Sequence, residues 1–415
     1  MKYILNLKLN FINENIFVKS ILISVCFLPL ILLLGSAIIN FFISIISLCI
    51  LILFFKKEKN IIFDKFSKYL FFINIALIFL FFFSHDLNNS FARSFGFVRF
   101  ILFAYGIKFI FEYKNSKFKP FIFNFWTLFL FIISFDLIFE FITGKNSFGY
   151  GGYMDGRLSG FLNDELKIGL IILSFSFLIS TYMHETFKKK WNVILVLMFF
   201  LFISLIVGER ANFIRFIFCF FLFLMFIPII TKKTKFLTIL VMLLVPIGLF
   251  NFNESYKFRY GQQFFKLIAN EGTYGYIKSS QYGAHYVTAY EIFKNFPLTG
   301  VGIKNFPLEC SKEQYYKVDY IFSDRRCSTH PHQIHLEILS TLGLPFYIVF
   351  ILFFLYFFLN KFLIFYKEKN GYLLVTLIYL LSFLLLPIPT GSFFTTYTAT
   401  MFWMNFGISN SNIKN

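Results

Sequence analysis

Twelve long apolar runs, parted by polar connections, decide what this chain can fold into. They lie near 17–35, 37–55, 69–84, 95–111, 120–141, 167–183, 192–208, 213–231, 236–252, 336–360, 372–388 and 393–408. A bilayer core of about 30 Å takes roughly 20 apolar residues wound as helix, and most of these runs approach that length. Hydrophobic residues fill 58% of the chain and charged ones only 14%, against roughly 25% charged in soluble domains. A soluble exterior cannot hide that much apolar surface. The expected fold is an all-α membrane protein of about 12 transmembrane helices.

A net charge of +18 suggests nucleic acid as a partner, but the placement of the charge argues against it. Lysines cluster at Lys56, Lys57, Lys59; Lys114, Lys117, Lys119; Lys188 to Lys190; Lys232, Lys233, Lys235; and Lys361, Lys367, Lys369. These connections alternate with Lys-poor ones at Ser84–Ser90, Gly144–Leu166, Gly208–Asn212 and Pro389–Ser392. That alternation is the positive-inside pattern. It puts both termini in the cytoplasm of a multi-pass chain. The first run is followed at once by another, so it reads as a retained helix rather than a cleaved signal.

The connections divide the chain into three. Residues 1–251 carry helices one to nine, with a Gly-rich loop near 144–166. Residues 252–335 form a large loop, and residues 336–415 hold helices ten to twelve. By the charge pattern both loops face away from the cytoplasm. Connections longer than about 15 residues are usually functional or disordered. The aromatics Tyr256, Tyr260, Phe264, Phe265, Tyr286, Tyr290, Phe293, Phe296 and Phe306 argue for order in the large one. It is expected to be a small helical cap packed on the membrane region. The Gly-rich loop reads as tight turns near a ligand or as a plain connector.

Cys26, Cys49 and Cys219 fall in apolar runs and read as packing residues. Cys310 and Cys327 share the outward loop, where an oxidising compartment would let them close a disulfide. The alternative is two unrelated cysteines.

The densest polar cluster is Ser328-Thr329-His330-Pro331-His332-Gln333-Ile334-His335-Leu336-Glu337. Imidazole transfers protons near neutral pH, and His332 and His335 share a helix face. A general base or acid, a metal site and an inert polar network all remain open here. Arginines also stand out in otherwise Lys-poor connections: Arg157, Arg210, Arg259, Arg325 and Arg326, with Arg215 one turn inside a helix. Guanidinium forks grip phosphate oxygens, whereas lone surface arginines often only pair or snorkel. At membrane depth Arg215 needs a partner or a ligand. Asp136 and Glu140 lie four apart on helix five, and helix four carries Arg93 and Arg99; ionisable residues at membrane depth suggest function, and the alternative near the outer surface is that these simply pair with one another.

Four segments resemble the O-antigen ligase and polymerase superfamily. They are Gly156-Arg157-Leu158-Ser159-Gly160, Gly208-Glu209-Arg210-Ala211, Pro297-Leu298-Thr299-Gly300-Val301-Gly302, and His332-Gln333-Ile334-His335-Leu336-Glu337 running on to Gly343-Leu344-Pro345. Gln333 stands where that family usually has Asn, and His285 where it often has Arg. The resemblance covers about residues 140–350 and includes a large loop between helices nine and ten.

It implies a metal-independent glycosyltransferase without cofactors, at the periplasmic face of a bacterial inner membrane. The implied partners are a polyprenyl diphosphate-linked glycan donor and an acceptor. That acceptor is lipid A core for a ligase, or a second lipid-linked glycan for a polymerase. His332 then maps to the base, or orienting hydrogen-bond partner, on the acceptor hydroxyl, with His330 and His335 as rivals. Arg210 maps to diphosphate stabilisation, joined by Arg215, Arg157 and Arg259. A transporter of lipid-linked glycans is the alternative of another class. The absence of an evident internal repeat and the clustering of polar residues at one face weigh against it.

Overall fold

The computed structural model describes residues 14–56, 65–188, 190–227, 230–317, 319–385 and 387–413. Lys57, Lys59 and Lys189 of the basic clusters, and the side chains of Phe264 and Phe265, lie outside the described residues.

Helix occupies each apolar run. In chain order these are α1 (Ile16–Cys26), α2 (Ser36–Phe55), α3 (Lys65–Phe81), α4 (Leu87–Gly96) continuing as α5 (Val98–Glu112), α6 (Lys119–Thr143), α7 (Ile168–Phe187), α8 (Lys190–Ile206), α9 (Arg210–Phe226) and α10 (Lys232–Phe252). The cap segment contributes α11 (Leu267–Ser279) and α12 (Gln281–Asn295). Then come α13 (Ile334–Glu368), α14 (Gly371–Leu384) and α15 (Thr396–Ser409). Among the described residues there is no β-sheet, only an isolated bridge between Met154 and Arg157. Among the described residues, five helical stretches are long and apolar enough to cross a membrane: α2, Leu87–Glu112, α6, α7 and α13. Ile16–Cys26, Phe66–Phe81, Trp191–Ile206 and Gly371–Leu384 are apolar but shorter.

Burial explains the arrangement. α7 and Leu87–Glu112 are mostly enclosed by protein, whereas α2, α6 and α13 bury less than half of their apolar length. Phe41, Leu48, Phe135, Ile142, Leu352, Leu359 and Leu363 point outward. Apolar surface of that extent is stable only against another apolar phase, and in a multi-pass protein that phase is lipid.

Three expectations are corrected. The first apolar run is not one helix. α1 stops at Phe27 and a short turn, Leu28–Ile31, carries Pro29, because proline cannot donate into the turn before it. The tenth helix is also not continuous: α13 breaks at Gly343, at φ +76° and two residues before Pro345. Third, Asp136 and Glu140 do not pair with Arg93 and Arg99. Glu140 accepts the Ser159 N–H at 2.9 Å and the Gly160 N–H at 2.7 Å. Asp136 accepts the Ser147 N–H at 3.0 Å. The two carboxylates thus pin the Gly-rich loop to α6. Arg93 instead donates to the Phe394 carbonyl at 3.2 Å, and Arg99 to that of Gly96 at 2.6 Å.

The break in α13 is a joint with the cap segment. A broken helix leaves backbone groups without partners, and Pro297–Gly302 supplies them. Val301 N–H donates to Ser340 O at 3.0 Å, Gly302 N–H to Thr341 O at 2.8 Å, and Leu344 N–H to Pro297 O at 2.7 Å. The approach is so close that a Cβ on Gly300 would lie 2.2 Å from the Thr341 carbonyl carbon. A second small core, with Ala289, Ile292, Val301, Phe306, Cys310 and Tyr315, packs on Leu336 of α13. Cys310 and Cys327 are joined there, with Cα atoms 5.4 Å apart. The buried Glu309 bonds His85 and Lys312 at 2.8 Å each and so ties the cap segment to the connection between α3 and α4.

Candidate active site at the seam of the cap segment and the helices

The site begins with two backbones in contact. Gly208 ends α8 at φ +75°, in the left-handed region that suits glycine. A Cβ there would sit 1.9 Å from Gly156 O. Leu158 N–H donates to Val207 O at 3.1 Å. The Gly-rich loop therefore lies directly on the turn that carries Arg210. Arg210 donates to the Arg259 carbonyl at 3.1 Å, and Arg259 returns a bond to Gly208 O at 3.2 Å. Arg157 is anchored on Leu166 O, with its Nη2 3.9 Å from Glu209.

These three arginines face one cleft of about 900 Å³. Its other walls include Arg325, Tyr276, Tyr282 and the 279–281 stretch. A narrower recess of about 110 Å³ runs from Arg157, Arg210 and Arg259 past Tyr282 to Ile388 and Pro389. Burial and then the charges of Arg210 and Arg157 push the Arg259 guanidinium down to about 10. It still carries its proton at neutral pH. Three cations held this close attract an anion, and forked donors suit phosphate. Arg215 does not line the cleft.

Behind Tyr282 stand the histidines. The Tyr282 ring meets His332 edge-on at 5.4 Å. His285 stacks on His332 at 5.2 Å, and His330 lies 4.1 Å from it. His332 is at φ +58°, a conformation few non-glycine residues take. It is held there by the Thr390 N–H, which donates to its carbonyl at 2.7 Å, and by Ser328 Oγ, 2.9 Å from Nε2. Burial, with the neighbouring His285, pushes the His332 imidazole down to about 4. Burial and His332 bring His330 to about 3. Both rings are neutral at pH 7; His330 has both nitrogens partnered, Nδ1 by Thr329 Oγ1 at 2.9 Å and Nε2 by Thr390 O at 3.3 Å, whereas His332 has a partner only at Nε2 among the described residues.

His335 differs. Its Nε2 donates to Leu384 O at 2.8 Å, and its Nδ1 accepts from Tyr347 at 3.2 Å. Both nitrogens are committed to helix packing. Gln333 caps α13, its Oε1 accepting the Leu336 N–H at 2.8 Å, which accounts for an amide at this position. Among the described residues, no group of three or more His, Cys, Asp or Glu is arranged to hold a metal ion.

The structure thus gathers Arg157, Arg210 and Arg259 in one cleft, with His332 behind one wall. Arg325 joins them in the cleft, as do Tyr276 and Tyr282, which carry no motif. For Tyr282 the signal is its i, i+3 helical pairing with His285, legible only once His285 is put beside His332.

Residues 193–351 match the family model described as O-antigen ligase. Over that stretch the chain is similar to O-antigen ligases. The matched stretch runs from α8 to just beyond the break in α13, so it includes Arg210, Arg259, the cap segment and His332. Arg157 lies before the matched stretch and reaches it through the Gly156–Gly208 contact. No curated protein matches the chain.

Proposed function

We propose that this protein transfers a glycan from a polyprenyl diphosphate carrier to lipid A core at the periplasmic face of the inner membrane. The observation that carries the reading is the shared cleft of Arg157, Arg210 and Arg259, walled by Tyr282 with His332 behind it. The acceptor hydroxyl loses its proton to His332 as its oxygen attacks the anomeric carbon. The bond from that carbon to the diphosphate oxygen breaks, and the carrier diphosphate leaves with the electron pair. Arg157, Arg210 and Arg259 stabilise the charge that grows on it, and placed cations of this kind commonly supply several kcal/mol. His335, with both nitrogens bonded, is left a structural part.

Joining two carrier-linked glycans needs the same groups, so polymerase activity is the second reading. The test is reconstitution in proteoliposomes with a lipid-linked glycan donor, offered either lipid A core or a second lipid-linked glycan. The proposal expects product on lipid A core. It also expects Arg210→Ala to raise the donor KM about tenfold or more. Product on the second carrier alone would make the protein a polymerase, and unchanged donor kinetics would remove Arg210 from the diphosphate site.

A further inference from the structure

Arg215 is the most deeply buried arginine described, 2% exposed within α9. A buried guanidinium is costly unless its donors are used. Nη2 donates to Pro389 O at 2.6 Å and lies 3.5 Å from Ile388 O; Nη1 donates to Asn212 Oδ1 at 3.1 Å. The Phe383 ring lies 4.8 Å beneath it. Among the described residues no carboxylate pairs with it, and neither cleft described above includes it; apart from Asn212, its hydrogen bonds go to the main chain at 388–389.

That main chain needs outside support. Pro387 and Pro389 have no N–H, and the stretch from 387 to 392 forms no helix or strand. Its carbonyls must find donors elsewhere. One residue beyond Pro389, the Thr390 N–H donates to His332 O at 2.7 Å, and Thr390 O lies 3.3 Å from His330 Nε2. The same stretch, through Ile388 and Pro389, walls the recess beside Arg157 and Arg210. A continuous path therefore runs from Arg215 through Pro389 and Thr390 to the His332 backbone, where φ is +58°.

We propose that Arg215 is a positioning residue: it fixes the 388–390 main chain, and that chain fixes His332 against the cleft. This rests on the reading of His332 as the base. An apolar side chain of similar volume would fill the site at less electrostatic cost, and it could not hold two carbonyls in place. Misplacing a catalytic group by about 1 Å can cost on the order of 100-fold in rate.

The test is Arg215→Lys in proteoliposomes with the lipid-linked donor. It keeps the charge and loses the fork. Transfer should fall about 10- to 100-fold in kcat with the donor KM within about twofold. In a His332→Ala background, measured on its residual rate, Arg215→Lys should add less than about a twofold loss, because the two act as one unit. A raised donor KM at unchanged kcat would make Arg215 a diphosphate ligand and overturn the proposal, as would losses that multiply. If Arg215→Lys fails to insert, Asn212→Ala removes one guanidinium partner without touching the 388–390 chain. It should show the same split at a few-fold, and no change in kcat overturns the proposal. Full activity in His332→Ala alone would instead defeat the reading of the base, a distinct result.

Discussion

Replacing Gly208 by alanine tests whether the seam between the two loops sets the cleft. The new Cβ would lie 1.9 Å from Gly156 O, 2.9 Å from its carbonyl carbon and 3.2 Å from Arg157 Cα. Ordinary contact begins near 3.4 Å, so one backbone must retreat by about 1.5 Å. Either choice moves an arginine: Arg157 follows residue 156, and Arg210 follows residue 208. The Arg259 bond to Gly208 O at 3.2 Å would go as well. The left-handed φ adds about 1 kcal/mol for alanine, and overpacking adds roughly 1–3 kcal/mol.

Gly152 separates these terms. It too has φ +75°, but a Cβ there meets nothing within 4 Å. The assay is thermal unfolding in detergent together with donor kinetics in proteoliposomes. Gly152→Ala should lose only about 1 kcal/mol and keep near-normal transfer. Gly208→Ala should lose more and raise the donor KM about 10- to 100-fold. Indistinguishable variants would refute the claim that this contact holds the arginines in register.

Two further outcomes follow from the site. His332 is held down to about 4, below its unfolded value of about 6.5, so the acid limb of the rate profile should fall near pH 4, and a limb centred near 6.5 would contradict this burial. The native state then binds fewer protons than the unfolded one, so stability should decline as pH drops from about 6.5 through 4 and level off below. Reducing the Cys310–Cys327 link, which spans 17 residues, should cost about 3 kcal/mol. Thiol labelling of the unfolded protein should find three sites, Cys26, Cys49 and Cys219, before reduction and five after it; five before reduction would show the link is absent.

The positions of the helices were readable from hydropathy alone, because lipid demands long apolar segments with all backbone bonds satisfied internally. Their breaks were not. Pro29 and Pro345 sit inside apolar runs, and hydropathy does not register a missing N–H. The motifs were legible as patterns, but their physical sense was not. Gly300 and Gly343 are two sides of one joint, as are Gly156 and Gly208, and each pairing is formed by residues far apart in sequence. The arginines illustrate the same limit. Arg210 and Arg215 are one turn apart and look equivalent, yet α9 turns one toward the cleft and the other onto Pro389. His332 and His335 divide likewise, because the partners that occupy His335, Leu384 and Tyr347, come from other turns and another helix.

The central claim is that one imidazole, His332, serves the reaction. It is tested most directly by single-turnover transfer from a lipid-linked donor in His332→Ala and His335→Ala, each checked for insertion. The account predicts a loss of about 10²- to 10⁴-fold for His332→Ala and a few-fold at most for His335→Ala. Transfer that survives in His332→Ala and collapses in an equally well-inserted His335→Ala would contradict it.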